Sequence, residues 1–322
     1  MMMPPATTSR LPAIACLATG MGIVGTSVTA NKYLVGHIPI MLAMEIRFLI
    51  ATIVLLVIVR LVEAGLPQIP LRLHVVLAAQ ALFGVVAFNI LLLVGLDMTT
   101  ATISGIITAA TPAVIAIMSF LLGDRLPPIA WLGVALTIGG VILVNLLASP
   151  SEDIARRPIL GAMLIFLAVI GEAAYTILGR YATRSISPFG TATWICIYGA
   201  AMFLPLALWD VRHFSPGAVP ASTWLAIAWL AIFVTVIAFV LWFKGLASIP
   251  ASTAGAFTGM IPITAVISAA ILLHEPVGIA HLAGMTCVLA GIFLVAQPRA
   301  TPETTRPPAL WRSRRSVPNR VN

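Results

Sequence analysis

Ten stretches of mostly apolar residues, each long enough for a membrane-spanning helix, follow one another along this chain. A helix rises about 1.5 Å per residue, so about 20 apolar residues cross the hydrocarbon core of a bilayer. Scanned at that length, the sequence marks spans at 11–33, 38–61, 73–96, 99–122, 127–147, 159–180, 186–209, 221–244, 250–273 and 277–296. The connections are short and hold the turn formers and charges, as in GLPQIPLR, GDRLPP, ASPSEDIARRP, DVRHFSPGAVP and HEPVG. With 60% of its 322 residues hydrophobic and only 9% charged, the chain has more apolar surface than one core can hide from water. A bilayer must act as its solvent, so the expected fold class is an all-α polytopic membrane protein of ten transmembrane helices. The first run is too long for the apolar core of a cleaved leader and is read as a retained helix.

The formal net charge of +8 does not point to nucleic acid, because its location is uneven. Six arginines, Arg299, Arg306, Arg312, Arg314, Arg315 and Arg320, lie in a Pro-rich tail with too little apolar periodicity to fold alone. A basic tail beside anionic lipid is the reading adopted. Lys and Arg also set orientation. With the N-terminus inside, 13 of them fall on the cytoplasmic side and 4 (Lys32, Arg156, Arg157 and Arg212) outside, while Arg47 lies within a span. Both termini are therefore expected in the cytoplasm. The membrane is the cell membrane, or the inner membrane of a Gram-negative source.

Shifted by 150 residues, the sequence matches itself: Gly95 meets Gly245, Gly105 meets Gly255, Thr108 meets Thr258 and Pro112 meets Pro262. After one inserted residue, Asp124 meets Glu275, Gly133 meets Gly284 and Gly140 meets Gly291. Each copy holds five spans, an odd number, so the second must enter the membrane from the opposite side. Two inverted five-helix repeats are expected, the construction of many secondary transporters whose site lies near the midplane between the copies. Their bounds are 1–147 and 159–296, with an outer linker at 148–158 and the tail at 297–322.

The stretches ATISGIITAATPAVIAIMSFLLGDRLPPIAWLGVALTIGGVILV and ASTAGAFTGMIPITAVISAAILLHEPVGIAHLAGMTCVLAGIFLV carry the pattern twice. A small-residue run is followed by a mid-span proline, an acidic loop residue, and then glycines seven apart. This arrangement, over about residues 11–297, resembles the EamA-type repeats of the drug/metabolite transporter superfamily. The resemblance implies a ten-helix carrier, commonly an exporter of amino acids, other metabolites or toxic compounds, with a central cavity between the repeats. An importer, a membrane enzyme acting on a lipid-like substrate and a non-transporting scaffold remain the rival classes.

The candidate residues follow from what lipid tolerates poorly. A charge at a helix centre costs about 2.5–3.5 kcal/mol on insertion scales, so Glu45, Arg47 and Glu172 need a reason to be there. Glu45 and Arg47 are two residues apart, hence about 200° apart around the helix, and cannot face the same neighbour. Arg47 is either a structural ion-pair member, with Glu172 as the opposite-sign candidate across the repeat interface, or a contact for a solute carboxylate, or a near-surface residue if the span edges are displaced. A carboxylate withdrawn from water can carry a proton, which makes Glu45 and Glu172 candidates for coupling. Asn89 and Tyr175 complete the expected substrate and proton pathway. Pro112 and Pro262 break their spans and free the carbonyls of Thr108 and Thr258, which must then find protein or a wet cavity. Gly105 and Gly255 belong to small-residue stripes that permit close helix approach or line that cavity.

Cys16, Cys196 and Cys287 lie in apolar runs with no metal or disulfide spacing. Pro276 separates His274 from His281, and no phosphate-binding loop is present. No catalytic residue, metal or cofactor is expected. The expected partners are a small-molecule solute and the lipid bilayer, with no nucleic acid, and a homodimer is left open.

Overall fold

The structure, a computed structural model, describes residues 10–34, 37–98, 107–124, 126–147, 157–212, 214, 219–272 and 279–296. The basic tail, Gly105 and Glu275 lie outside them. Among the described residues every regular element is helical. In chain order these are α1 (Arg10–Leu34), α2 (Ile40–Val62), α3 (Leu71–Met98), α4 (Thr111–Leu121), α5 (Pro128–Leu147), α6 (Pro158–Ala182), α7 (Pro188–Val211), α8 (Ala221–Ser248), α9 (Ala251–Leu272) and α10 (Ile279–Ala296). Seven of them, α1–α3 and α6–α9, are long and apolar enough to cross a membrane; α4, α5 and α10 contain shorter apolar stretches.

Proline sets many of the helix starts. Pro39, Pro70, Pro220 and Pro250 stand at the N-caps of α2, α3, α8 and α9, and Pro158 and Pro188 lie in the first turns of α6 and α7. A first-turn N–H has no partner within the helix, so a residue lacking one costs nothing there. Ser187 also caps α7, its hydroxyl oxygen accepting from the Gly190 N–H at 3.0 Å. At the other end of α4, Gly123 takes φ +103°, the left-handed geometry that lets a chain leave a helix.

The expected proline kinks have a different form. Pro112 sits in the first turn of α4, just after a turn at residues 109–110. Pro262 sits in the first turn of the second piece of α9 (Met260–Leu272), behind a short 3₁₀ turn at Phe257–Gly259. Each proline therefore lies in the first turn of a helix that restarts after a break, where a missing N–H costs little.

A second irregularity had no sequence sign. Both α3 and α8 widen to π geometry midway, at Leu82–Ala87 and Leu230–Ile237. Polar side chains reach carbonyls of both segments: Asn89 Nδ2 donates to Val85 O at 2.6 Å, and Thr235 Oγ1 to Leu230 O at 2.9 Å.

Helix pairing repeats in the two halves. Helix α1 packs on α8 and α9, and α6 packs on α3 and α4; α2 pairs with α7, α5 with α10, and α4 with the first piece of α9. Exchanging each helix of α1–α5 with the one five places later leaves these main pairings unchanged, although α8 also packs on α6 and α7 without an equal counterpart at α3. Close approach rests on glycine. A methyl group added at Gly95 would sit 2.6 Å from the Ile165 side chain, and one at Gly245 would strike Leu17. On α5 and α10 the contact is reciprocal: a methyl group added at Gly133 would lie 2.6 Å from the Gly291 carbonyl oxygen and one at Gly140 2.5 Å from the Gly284 carbonyl oxygen, so these two helices run antiparallel.

Candidate functional site

Between these helices lies a cavity of about 500 Å³, within the range of small-molecule sites. Its wall takes residues from both halves of the chain: Val24 and Asn31 of α1, Arg47 and Phe48 of α2, Phe88 and Asn89 of α3, Glu172 and Tyr175 of α6, Phe239 and Trp242 of α8. Most of the surface is aliphatic or aromatic. Against that background two charges of opposite sign stand out.

Arg47 is buried, and its position is fixed by the irregularity in α8. Nε donates to Thr235 Oγ1 at 2.6 Å, and Thr235 in turn reaches the Leu230 carbonyl of the π segment. The guanidinium carbon lies 5.5 Å from the Phe48 ring centroid, a cation–π contact on the same helix. Thr235 was not among the residues read from the sequence. The available signal was a hydroxyl in the middle of LAIFVTVI, an otherwise apolar run. Thr235→Val keeps the shape and removes the acceptor. It is expected to lower stability by about 1–3 kcal/mol, read from thermal unfolding of purified protein, while Thr235→Ser stays near wild type.

Glu172 lies near the middle of α6, and its Oε2 accepts from Thr111 Oγ1 of α4 at 3.2 Å. The expected Arg47–Glu172 ion pair is not made, since among the described residues no carboxylate lies within ion-pairing distance of Arg47. Each charge is instead hydrogen-bonded to a threonine hydroxyl of another helix, and both line the wall. Glu45 points elsewhere, as the 200° separation requires. It is only 4% exposed, does not line the cavity, and its Oε2 has no hydrogen-bond partner.

The other candidates divide similarly. Asn89, Tyr175, Thr108, Pro112, Thr258 and Pro262 all line the cavity. Gly255 does not; it is a packing glycine, where an added methyl would sit 2.7 Å from Ile115 of α4. Tyr175 packs against Phe239 and Phe243, with ring centroids 6.2 and 5.9 Å away, and its hydroxyl is buried without a partner, as is the Trp242 indole N–H. Gln80 is a brace, donating to the Tyr175 carbonyl at 3.0 Å. Away from the cavity, Tyr198 shares a 2.6 Å hydrogen bond with His74 and stacks on Trp194. The three cysteines are free thiols, and among the described residues no cluster of His, Cys, Asp and Glu could hold a metal ion.

The cavity occupies the middle of the bundle and the end where α1 finishes and α2 begins. Opposite that end, the halves are tied by side chains: Ser187 Oγ donates to Glu63 at 2.6 Å, and Ser252 Oγ to Asp124 at 3.3 Å.

Comparison with known proteins agrees with this architecture. A family model described as the EamA-like transporter family matches residues 11–146 and again 159–297. An uncharacterized transporter of Bacillus subtilis (strain 168), YetK, is 37% identical over 295 residues, covering 91% of this chain and 89% of its own. A second from the same organism, YyaM, is 29% identical, covering 83% and 88%. A solved crystal structure, 19% identical, superposes with a TM-score of 0.77 over 89% of this chain and 97% of that one, which supports the fold alone. Helices that need a bilayer and matches covering both halves lead to one statement: the chain is a multi-pass membrane protein of the EamA-like transporter family, within the drug/metabolite transporter superfamily.

Proposed function

We propose that this transporter is a secondary carrier that moves a small organic solute outward across the cell membrane, with both termini in the cytoplasm. Two inverted five-helix halves rock about the cavity, and Glu172 carries a coupled proton. The observation that carries the reading is the cavity itself. Both halves supply its wall, and that wall holds two charges that lipid would otherwise make costly to keep.

Other features support the parts of this reading. The main helix pairings survive exchange of the halves, the π segments recur about 150 residues apart, and the reciprocal α5–α10 glycine contact is what a two-fold axis in the membrane plane would produce. The Lys and Arg bias favours a cytoplasmic N-terminus. In that orientation the Glu63–Ser187 and Asp124–Ser252 ties close the cytoplasmic side, and the cavity lies toward the outside.

Everted membrane vesicles test the reading. Cells producing the protein should yield vesicles that accumulate at least one solute from a panel of metabolites and drugs, and an inside-acid gradient should accelerate uptake. No flux of any solute, with or without the gradient, would end the proposal.

A further inference from the structure

Arg47 poses a question that its structural role leaves open. An arginine kept in a membrane protein only to hold helices together is expected to face an acid, because a buried cation without a counter-charge costs several kcal/mol. Among the described residues Arg47 faces none. Its hydrogen bonds go to the Thr235 hydroxyl and, weakly, to the Met44 sulfur 3.9 Å from Nη1. The Nε side of the fork is thus anchored. Nη2 makes no hydrogen bond among the described residues, and Arg47 lines the 500 Å³ cavity together with Phe48, Phe239, Trp242 and aliphatic side chains.

A planar fork of N–H donors fixed at one edge and open at the other matches one chemical group well. A carboxylate offers two coplanar oxygens to it and supplies the counter-charge that no described residue holds against Arg47. The wall presents one such cation among its described residues, so the site suits one carboxylate rather than a multiply charged phosphate ester. Beyond the fork, aromatic and aliphatic surface awaits an apolar body. Resting on the carrier reading above, we propose that the transported solute bears a carboxylate, held by the open edge of Arg47, on an apolar body that packs against Phe48, Phe239 and Trp242.

Matched acid and amide pairs test this without knowledge of the natural solute. The full-length protein in nanodiscs is titrated calorimetrically with acids from butyrate to 3-phenylpropionate and indole-3-acetate, each beside its own primary amide. At least one acid should bind about ten- to a hundredfold more tightly than its amide, the loss expected when a charged hydrogen-bonded contact is removed. Arg47→Gln should reduce acid binding to the amide's level, and Arg47→Lys should restore only part of the preference, because a point charge lacks the fork.

Should Arg47→Gln fail to fold, the wild-type pairs still decide: if no acid outbinds its amide, the proposal is overturned. A preference that survives unchanged in Arg47→Gln overturns it as well. The two readings fail separately. An Arg47-dependent acid preference with no vesicle flux would remove the carrier and leave the anion site. Flux of other solutes, with acids and amides binding alike, would do the reverse.

Discussion

Gly140→Leu is expected to deplete folded protein from the membrane, whereas Gly139→Leu, one position earlier on the same helix, should leave it near wild type. A methyl group at Gly140 would lie 2.5 Å from the Gly284 carbonyl oxygen and 2.8 Å from the Val288 backbone nitrogen. Those are backbone atoms of α10, which cannot swing aside as a side-chain tip can, so the helices must separate. At Gly139 an added methyl meets nothing within 4 Å.

Separation is costly here because lipid is as apolar as leucine. Helices in a bilayer gain little from burying apolar surface and depend on close packing. Overpacking of this kind costs about 3 kcal/mol or more, a large part of the roughly 5–15 kcal/mol that holds a typical protein folded. Gly291→Leu should match Gly140→Leu, since its own methyl would meet Thr137 and, at 2.5 Å, the Gly133 carbonyl. Size-exclusion profiles of detergent extracts and thermal unfolding read the effect. If Gly140→Leu and Gly139→Leu behave alike, the reciprocal α5–α10 contact does not hold in the folded protein.

Those same glycines show what the sequence could reveal. Gly133 and Gly140 were visible as repeat partners of Gly284 and Gly291, because identity at a constant offset is legible without any structure. Helix bounds were also legible to within about one turn where both ends are described, since apolar runs end at charges and prolines. What stayed hidden is geometry that sequence patterns do not encode. A π segment is a change of hydrogen-bond register inside an apolar run, and neither LFGVVA nor LAIFVTVI looks different from an ordinary span.

The site was legible by residue type and obscure by partner. Arg47 and Glu172 declared themselves as charges in lipid, and both line the cavity. Opposite sign suggested that they pair. The structure gives each a hydroxyl partner instead, Thr235 for one and Thr111 for the other, and threonines inside spans are too common to single out. The breaks at Pro112 and Pro262 were legible from the prolines themselves, but their exact form was not. A proline marks an interruption of the helix, and whether the helix breaks before Pro112 or bends at it is not written in the residue type.

Glu172→Gln is expected to abolish the stimulation of vesicle uptake by an inside-acid gradient while leaving solute exchange without a gradient largely intact. Glutamine has nearly the shape of glutamate, and its carbonyl oxygen can still accept from Thr111, so the wall keeps its geometry. What it cannot do is bind and release a proton. Among the described residues of the cavity wall the only carboxylate is Glu172, so no neighbour there takes over the exchange. Glu45 is a buried acid outside the wall, and Glu45→Gln should leave the gradient response in place, which separates loss of the coupling group from loss of any intramembrane charge. Gradient stimulation that persists in Glu172→Gln excludes Glu172 as the proton carrier. Loss of gradient-free exchange as well would assign the residue to the solute or to the packing of α4 on α6. Thr111→Val then distinguishes the two, because it breaks the bond between those helices and leaves the carboxylate in the cavity.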